Sequence, residues 1–129
     1  MNTKRILIVD DEPGVTRSLK LNLEGTFRYE VRTENDSTHA LAAAREFHPD
    51  LILLDVIMPG LDGCDVLARI RADPELKDTL IVFLTALASN DDTGGQMMIA
   101  GSRVYLAKPV ILGELLRCID KHVRRQVPA

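Results

Sequence analysis

Five residues of this chain could do chemistry together if the fold brought them to one place: Asp10, Asp11, Asp55, Thr85 and Lys108. The clearest is Asp55. It closes the run Leu51-Ile52-Leu53-Leu54, four apolar residues of the kind a strand buried on both faces shows. Pro59-Gly60 then turns the chain. A carboxylate at the end of a buried strand is costly unless a metal ion, a cation or water compensates it. The carboxyl ends of strands in open α/β sheets are also where ligands bind. Taken alone, Asp55 could equally cap a helix or a turn. The pattern recurs, however. Ile6-Leu7-Ile8-Val9 ends in the acid pair Asp10-Asp11, followed by Glu12. Leu80 to Leu84 ends in Thr85, and Val104 to Leu106 runs into Ala107-Lys108-Pro109.

Helical patterns separate these runs. Pro13 suits a first helical position, Val15, Leu19 and Leu23 repeat on one face, and Gly25 ends the helix. Phe27, Tyr29 and Val31 alternate with Arg28, Glu30 and Arg32, a strand with one wet face and so an edge strand. Asn35, Asp36 and Ser37 supply an N-cap for the Ala-rich helix Ala40 to Phe47, which His48-Pro49 stops. Asp62 can cap a helix carrying Val66, Leu67 and Ile70 that ends near Asp73-Pro74. Thr93 to Ala100 should be helical by position, but Gly94-Gly95 each cost about 1 kcal/mol there, predicting a short, late-starting or mobile helix. Ile111, Leu115 and Ile119, with Leu112, Leu116 and Val123, form two rows on a closing helix.

Strand and helix thus alternate five times, which implies a parallel sheet covered on both faces. With the second strand at an edge, the favoured order is 2-1-3-4-5, the flavodoxin-like (βα)5 doubly wound arrangement. First and last helices then share one face and the middle three the other. Cys64 and Cys118 fall on opposite faces and cannot pair. Strands 1 and 3 are neighbours at the switch point, so Asp10, Asp11, Asp55, Thr85 and Lys108 emerge on one rim.

Three clustered carboxylates repel one another and raise each other's pKa. A hard divalent cation relieves this. Mg²⁺ takes oxygen ligands, usually one or two carboxylates with waters and a phosphate, and the absence of His and Cys from the set argues against zinc. Such a site suits phosphoryl transfer to a carboxylate, giving an aspartyl phosphate, with metal and lysine neutralising the oxygens. Asp10 and Asp11 form the pair that holds metal, and Asp55 is the single acid left as acceptor. No Gly-x-x-x-x-Gly-Lys or Gly-x-Gly-x-x-Gly loop is present, so the phosphoryl donor must come from outside.

Composition sets the outer limits. The 129 residues are 46% hydrophobic and 27% charged, which predicts one domain over 1–129, with a core of about 4–124 and a short tail, 125–129. A net charge of −3 disfavours direct nucleic-acid binding by this chain. No apolar run approaches 18 residues and no basic-then-apolar leader is seen, so neither a membrane span nor secretion is expected. Two cysteines without ligand spacing fit reduced thiols in the cytoplasm.

The sequence resembles the response-regulator receiver domains of two-component phosphorelays from about Lys4 to Arg124. The matching pieces are Ile6 to Pro13, Asp50 to Gly63, Phe83-Leu84-Thr85-Ala86 and Tyr105-Leu106-Ala107-Lys108-Pro109. All four stand in order at family spacing. The resemblance implies that Asp55 takes phosphate from a histidine kinase or phosphotransfer protein. It implies that Asp11, Asp55 and the backbone carbonyl of Ile57 contact Mg²⁺, with Asp10 acting through water. Thr85 and Lys108 would bind the phosphoryl oxygens, Lys108-Pro109 would be cis, and Tyr105 would turn inward as Thr85 moves. Output would pass to a downstream protein or to an output domain absent from this chain.

Two departures bear on lifetime. Ile57 and Leu87, each two residues past a site residue, are apolar, and neither side chain can orient an attacking water. The expectation is slow self-dephosphorylation. Two other functions suit these residues less well. A pseudo-receiver that never takes phosphate would not need the complete acid, Thr and Lys set. A phosphatase with an Asp nucleophile would want an acid where Ile57 stands, so no enzyme is expected. His39, His48 and His122 read as solvated. Met97 and Met98 read as helix packing rather than a partner surface, and Arg124-Arg125 as a helix C-terminal charge complement.

Overall fold

In a computed structural model of the chain, residues 3–86, 98–100 and 103–124 are described. The elements are β1 (Lys4–Val9), α1 (Pro13–Glu24), β2 (Tyr29–Glu34), a 3-10 turn (Ser37–His39), α2 (Ala40–Phe47), β3 (Leu51–Asp55), α3 (Gly63–Ala72), β4 (Leu80–Thr85), β5 (Met98–Ala100), β6 (Arg103–Ala107) and α4 (Leu112–Arg124). The sheet runs β2-β1-β3-β4-β6-β5. Its five parallel strands reproduce the expected 2-1-3-4-5 order, with β2 at an edge.

The alternation of the strands divides the core between two faces, as a period of two requires. Ile6 and Ile8 of β1, Leu51 and Leu53 of β3 and Leu84 of β4 pack with Leu19 and Leu23 of α1 and Leu115 and Ile119 of α4. Leu7 and Val9, Ile52 and Leu54, and Phe83 face the other way, against Ala40, Ala43 and Ala44 of α2 and Val66 and Ile70 of α3. Cys118 is buried on the first face, while Cys64 lies exposed on α3.

Two expectations need correction. Residues 98–100 are not the end of a helix: they form β5, antiparallel to β6 and outside it. The preceding glycine pair, the Asn90-Asp91-Asp92 loop, Met97 and Leu87 lie outside the described residues, as do the tail and the side chain of Met98. Nor does Phe27 begin β2. It takes φ 60° and is 89% exposed, in the left-handed region that a bulky side chain rarely adopts. Its N–H donates to the carbonyl of Glu24 at 3.0 Å, closing the turn after α1. Gly25 does end α1, but in a right-handed conformation.

The cap on α3 falls where the sequence puts it, whereas α2 has no side-chain cap: of Asn35, Asp36 and Ser37, Asp36 caps the 3-10 turn that leads into α2. Asp62 Oδ1 accepts from the N–H of Asp65, and Asp65 Oδ2 accepts from the N–H of Asp62, a reciprocal cap on α3. Beyond its other end, Asp73 Oδ1 accepts from the N–H of Glu75 at 2.9 Å, and Oδ2 accepts from Nε of Arg45 at 2.6 Å. This latch ties α2 to the segment after α3. The Arg45 hydrogen bond and the Glu75 N–H hold the Asp73 carboxyl below its ordinary value. Such a group contributes stability above the ordinary carboxylate pKa and loses it as pH falls through the depressed value. Asp73→Asn should therefore melt a few degrees below the parent at neutral pH. The gap should close as the buffer is taken below the ordinary Asp range. Melting curves at several pH values test this; a gap constant with pH would refute the charge-based account.

Candidate functional site

Register delivers the site. Val9 pairs with Leu54, Asp55 with Leu84 and Thr85 with Ala107, so β1, β3, β4 and β6 end within two residues of one another along the sheet. The residues that follow or close them meet there. Carboxylate oxygens of Asp10, Asp11 and Asp55 all lie within 4.8 Å of one another. Lys108 Nζ sits 2.7 Å from Asp10 Oδ2 and 3.3 Å from Asp55 Oδ1. Thr85 is buried beside them, and its carbonyl accepts from the N–H of Lys108 at 2.9 Å. A cleft of about 320 Å³ opens over the group, lined by Asp11, Glu12, Asp55, Ile57, Thr85 and Lys108.

The electrostatics are unbalanced. Asp10 and Asp55 are buried and Asp11 half-buried, against one ammonium group. Burial, followed by the charge of Asp10, raises the Asp55 carboxyl above its ordinary value, and Lys108 only partly opposes this. Burial works against the charge on Lys108, but the hydrogen bond and charge of Asp10, with those of Asp55, outweigh it and hold the ammonium above its ordinary value. A buried cluster with excess negative charge and only oxygen donors suits a hard divalent cation.

All five rim residues of the sequence reading come together. Ile57 stands at the cleft mouth with 63% of its surface exposed. Tyr105 is half-buried, its ring stacked on Phe83 with centroids 5.2 Å apart, and Lys108-Pro109 is cis. Glu12 was missed as a site residue, although it directly follows the acid pair: Oε1 lies 3.8 Å from Lys108 Nζ. The histidines stay apart from the site. His39 is exposed, whereas His122 is half-buried, with Nδ1 2.8 Å from the carbonyl oxygen of Cys118.

The chain is similar to known proteins in sequence and fold. The family described as response regulator receiver domain matches residues 6–120. The transcriptional regulatory protein PrrA of Mycobacterium tuberculosis is 38% identical over 128 residues, covering 98% of this chain and 52% of that protein. The DNA-binding dual master transcriptional regulator RpaA of Synechocystis sp. is 36% identical over 121 residues, covering 94% of this chain and 49% of that protein. The chain thus spans about half the length of these two relatives. Among solved structures, the Vibrio cholerae chemotaxis protein CheY4 superposes with a TM-score of 0.78 at 27% identity, covering 93% of this chain and 98% of CheY4. Among the described residues, no helix is long and apolar enough to cross a membrane.

Proposed function

Since the chain belongs to the response-regulator receiver family, we propose that it is a phosphorylation switch with Asp55 as acceptor. One observation carries the reading: a carboxylate, an acid pair and a lysine from three separate strand ends converge on one cleft. Asp11, Asp55 and the backbone carbonyl of Ile57 would hold Mg²⁺, with Asp10 reached through water. When bound, Mg²⁺ supplies charge neutralisation for the phosphoryl oxygens.

The chain's own groups do the rest. A carboxylate oxygen of Asp55 attacks the phosphorus of a phosphohistidine in a kinase or phosphotransfer protein. A P–O bond forms, the P–N bond breaks, and the imidazole leaves with the electron pair. Lys108, already 3.3 Å from Asp55, pairs with a phosphoryl oxygen, and the Thr85 hydroxyl donates to another. The acyl phosphate carries about 1.5 to 2 negative charges where the carboxylate carried one. Drawing Thr85 and Lys108 toward it would let Tyr105 turn inward and alter the surface formed by β6 and α4. The chain then acts as a signalling domain rather than an enzyme, passing its state to a protein partner or an output domain.

Acetyl phosphate with MgCl2 should add one phosphoryl group, labile to hydroxylamine, and chelation should prevent it. A chain that takes no label and binds no Mg²⁺ would instead be a constitutive interaction module. Once donor is removed, the label should persist for minutes or longer, because Ile57 offers an attacking water no hydrogen-bonding group. Decay within seconds, followed by intact mass, would overturn that expectation.

A further inference from the structure

We infer that Asn35 and Ser37, just beyond the edge strand β2, are positioning residues that fix the two loops of the metal cradle. The inference rests on reading Asp10, Asp11 and Asp55 as the Mg²⁺ site. Asn35 Nδ2 donates to the carbonyl of Asp10 at 2.8 Å and to Thr16 Oγ1 at 3.0 Å. Both amide hydrogens are used, and the carbonyl partner requires the nitrogen to face it. The Asp10 carbonyl belongs to the peptide plane joining Asp10 to Asp11. Holding that plane sets the direction in which Asp11 leaves β1. Thr16 is buried in α1, and its hydroxyl donates to the carbonyl of Pro13 at 3.1 Å. Asn35 therefore clamps the end of β1 to the start of α1 across the acid pair.

Ser37 performs the same office for the other loop. Its buried hydroxyl donates to the carbonyl of Pro59 at 2.9 Å and accepts from the N–H of Leu61 at 3.0 Å. These bonds bridge Gly60, which takes φ 83° and whose Cβ, if present, would lie 3.4 Å from Ser37 Oγ. The stretch so held carries Ile57, the expected carbonyl ligand, two residues before Pro59. One short segment thus braces both loops from outside the cleft without touching an ion.

Isothermal titration of the full chain with MgCl2 tests this, alongside melting curves. Asn35→Ala and Ser37→Ala should each weaken Mg²⁺ about tenfold. Labelling by acetyl phosphate should return toward the parent rate at saturating Mg²⁺. Asp73→Asn, remote from the cleft, should lower the melting temperature and leave Mg²⁺ affinity unchanged. If Asn35→Ala does not fold, Thr16→Val removes the anchor of Asn35 while keeping shape, and should weaken Mg²⁺ likewise. Variants that melt early but bind Mg²⁺ within about twofold of the parent would overturn the positioning role. A parent chain that binds no Mg²⁺ would instead overturn the reading of the site, and this inference with it.

Discussion

Asp55→Asn should reduce phosphoryl incorporation from acetyl phosphate and Mg²⁺ to background. An amide has the volume of the carboxylate but neither its charge nor its nucleophilic oxygen. The same substitution should raise the melting temperature in Mg²⁺-free buffer at neutral pH. Burial and the charge of Asp10 hold the Asp55 carboxyl above its ordinary value, so the folded chain favours the protonated group. The contribution of Asp55 is then full below the ordinary carboxylate pKa and fades as pH rises through the raised value. At neutral pH its charge opposes folding, and Asn removes that charge. Lys108 keeps Asp10 as partner at 2.7 Å. The gain in melting temperature should vanish in acid, where the parent is protonated. Label persisting in the Asn variant would place the acceptor elsewhere, and an unchanged melting temperature would mean that Lys108 already balances the cluster.

Gly63→Ala should damage fold and site together. A Cβ on Gly63 would lie 2.6 Å from the carbonyl oxygen of Asp55 and 2.9 Å from Cα of Val56. Both are backbone atoms, so no side-chain rotation relieves the clash. Gly63 also donates its N–H to the carbonyl of Val56 at 2.7 Å, and the loop after β3 lies directly on it. Overpacking of this kind costs about 1 to 3 kcal/mol. Here the displaced atoms carry Asp55 with them, so Mg²⁺ affinity and labelling should fall as well. Gly14→Ala is the counterpart. Nothing lies within 4 Å of its Cβ position, and an alanine in α1 should stabilise by up to about 1 kcal/mol. Urea unfolding of both variants checks the opposite signs. A Gly63→Ala chain with parental stability would show that the loop can yield.

The strand ends were legible because each pairs a solid apolar run with a charged or hydroxyl residue, and that chemistry survives in the chain without the fold. Parallel order followed from the one strand that alternates. What local pattern could not supply was the partner of a side chain that reaches across to another loop. Ser37 looks like a cap from its neighbours, yet its hydroxyl serves Pro59 and Leu61. Asn35 looks like another cap candidate, yet it holds Asp10 and Thr16. Phe27 continued the alternation of Tyr29 and Val31, but the pattern does not reveal that α1 needs three more residues to close its turn. Expecting a helix through Ala100 followed the βα count, and a three-residue antiparallel pairing carries too short a pattern to compete with it.

The lysine that balances Asp10 has a consequence for assembly. Lys108 follows Asp10 by 98 positions in the chain, and β6, which leads into Lys108, meets the other parallel strands through β4 and carries β5 on its outer edge. A folding intermediate or nascent chain without β6 would bury Asp10 with no cation beside it, an arrangement costly in a dry interior. The acid pair therefore has reason to stay hydrated until the last parallel strand docks. The slow, non-local step of a parallel sheet and the completion of the proposed phosphorylation site become one event, so a partly folded chain would be poorly able to accept a signal.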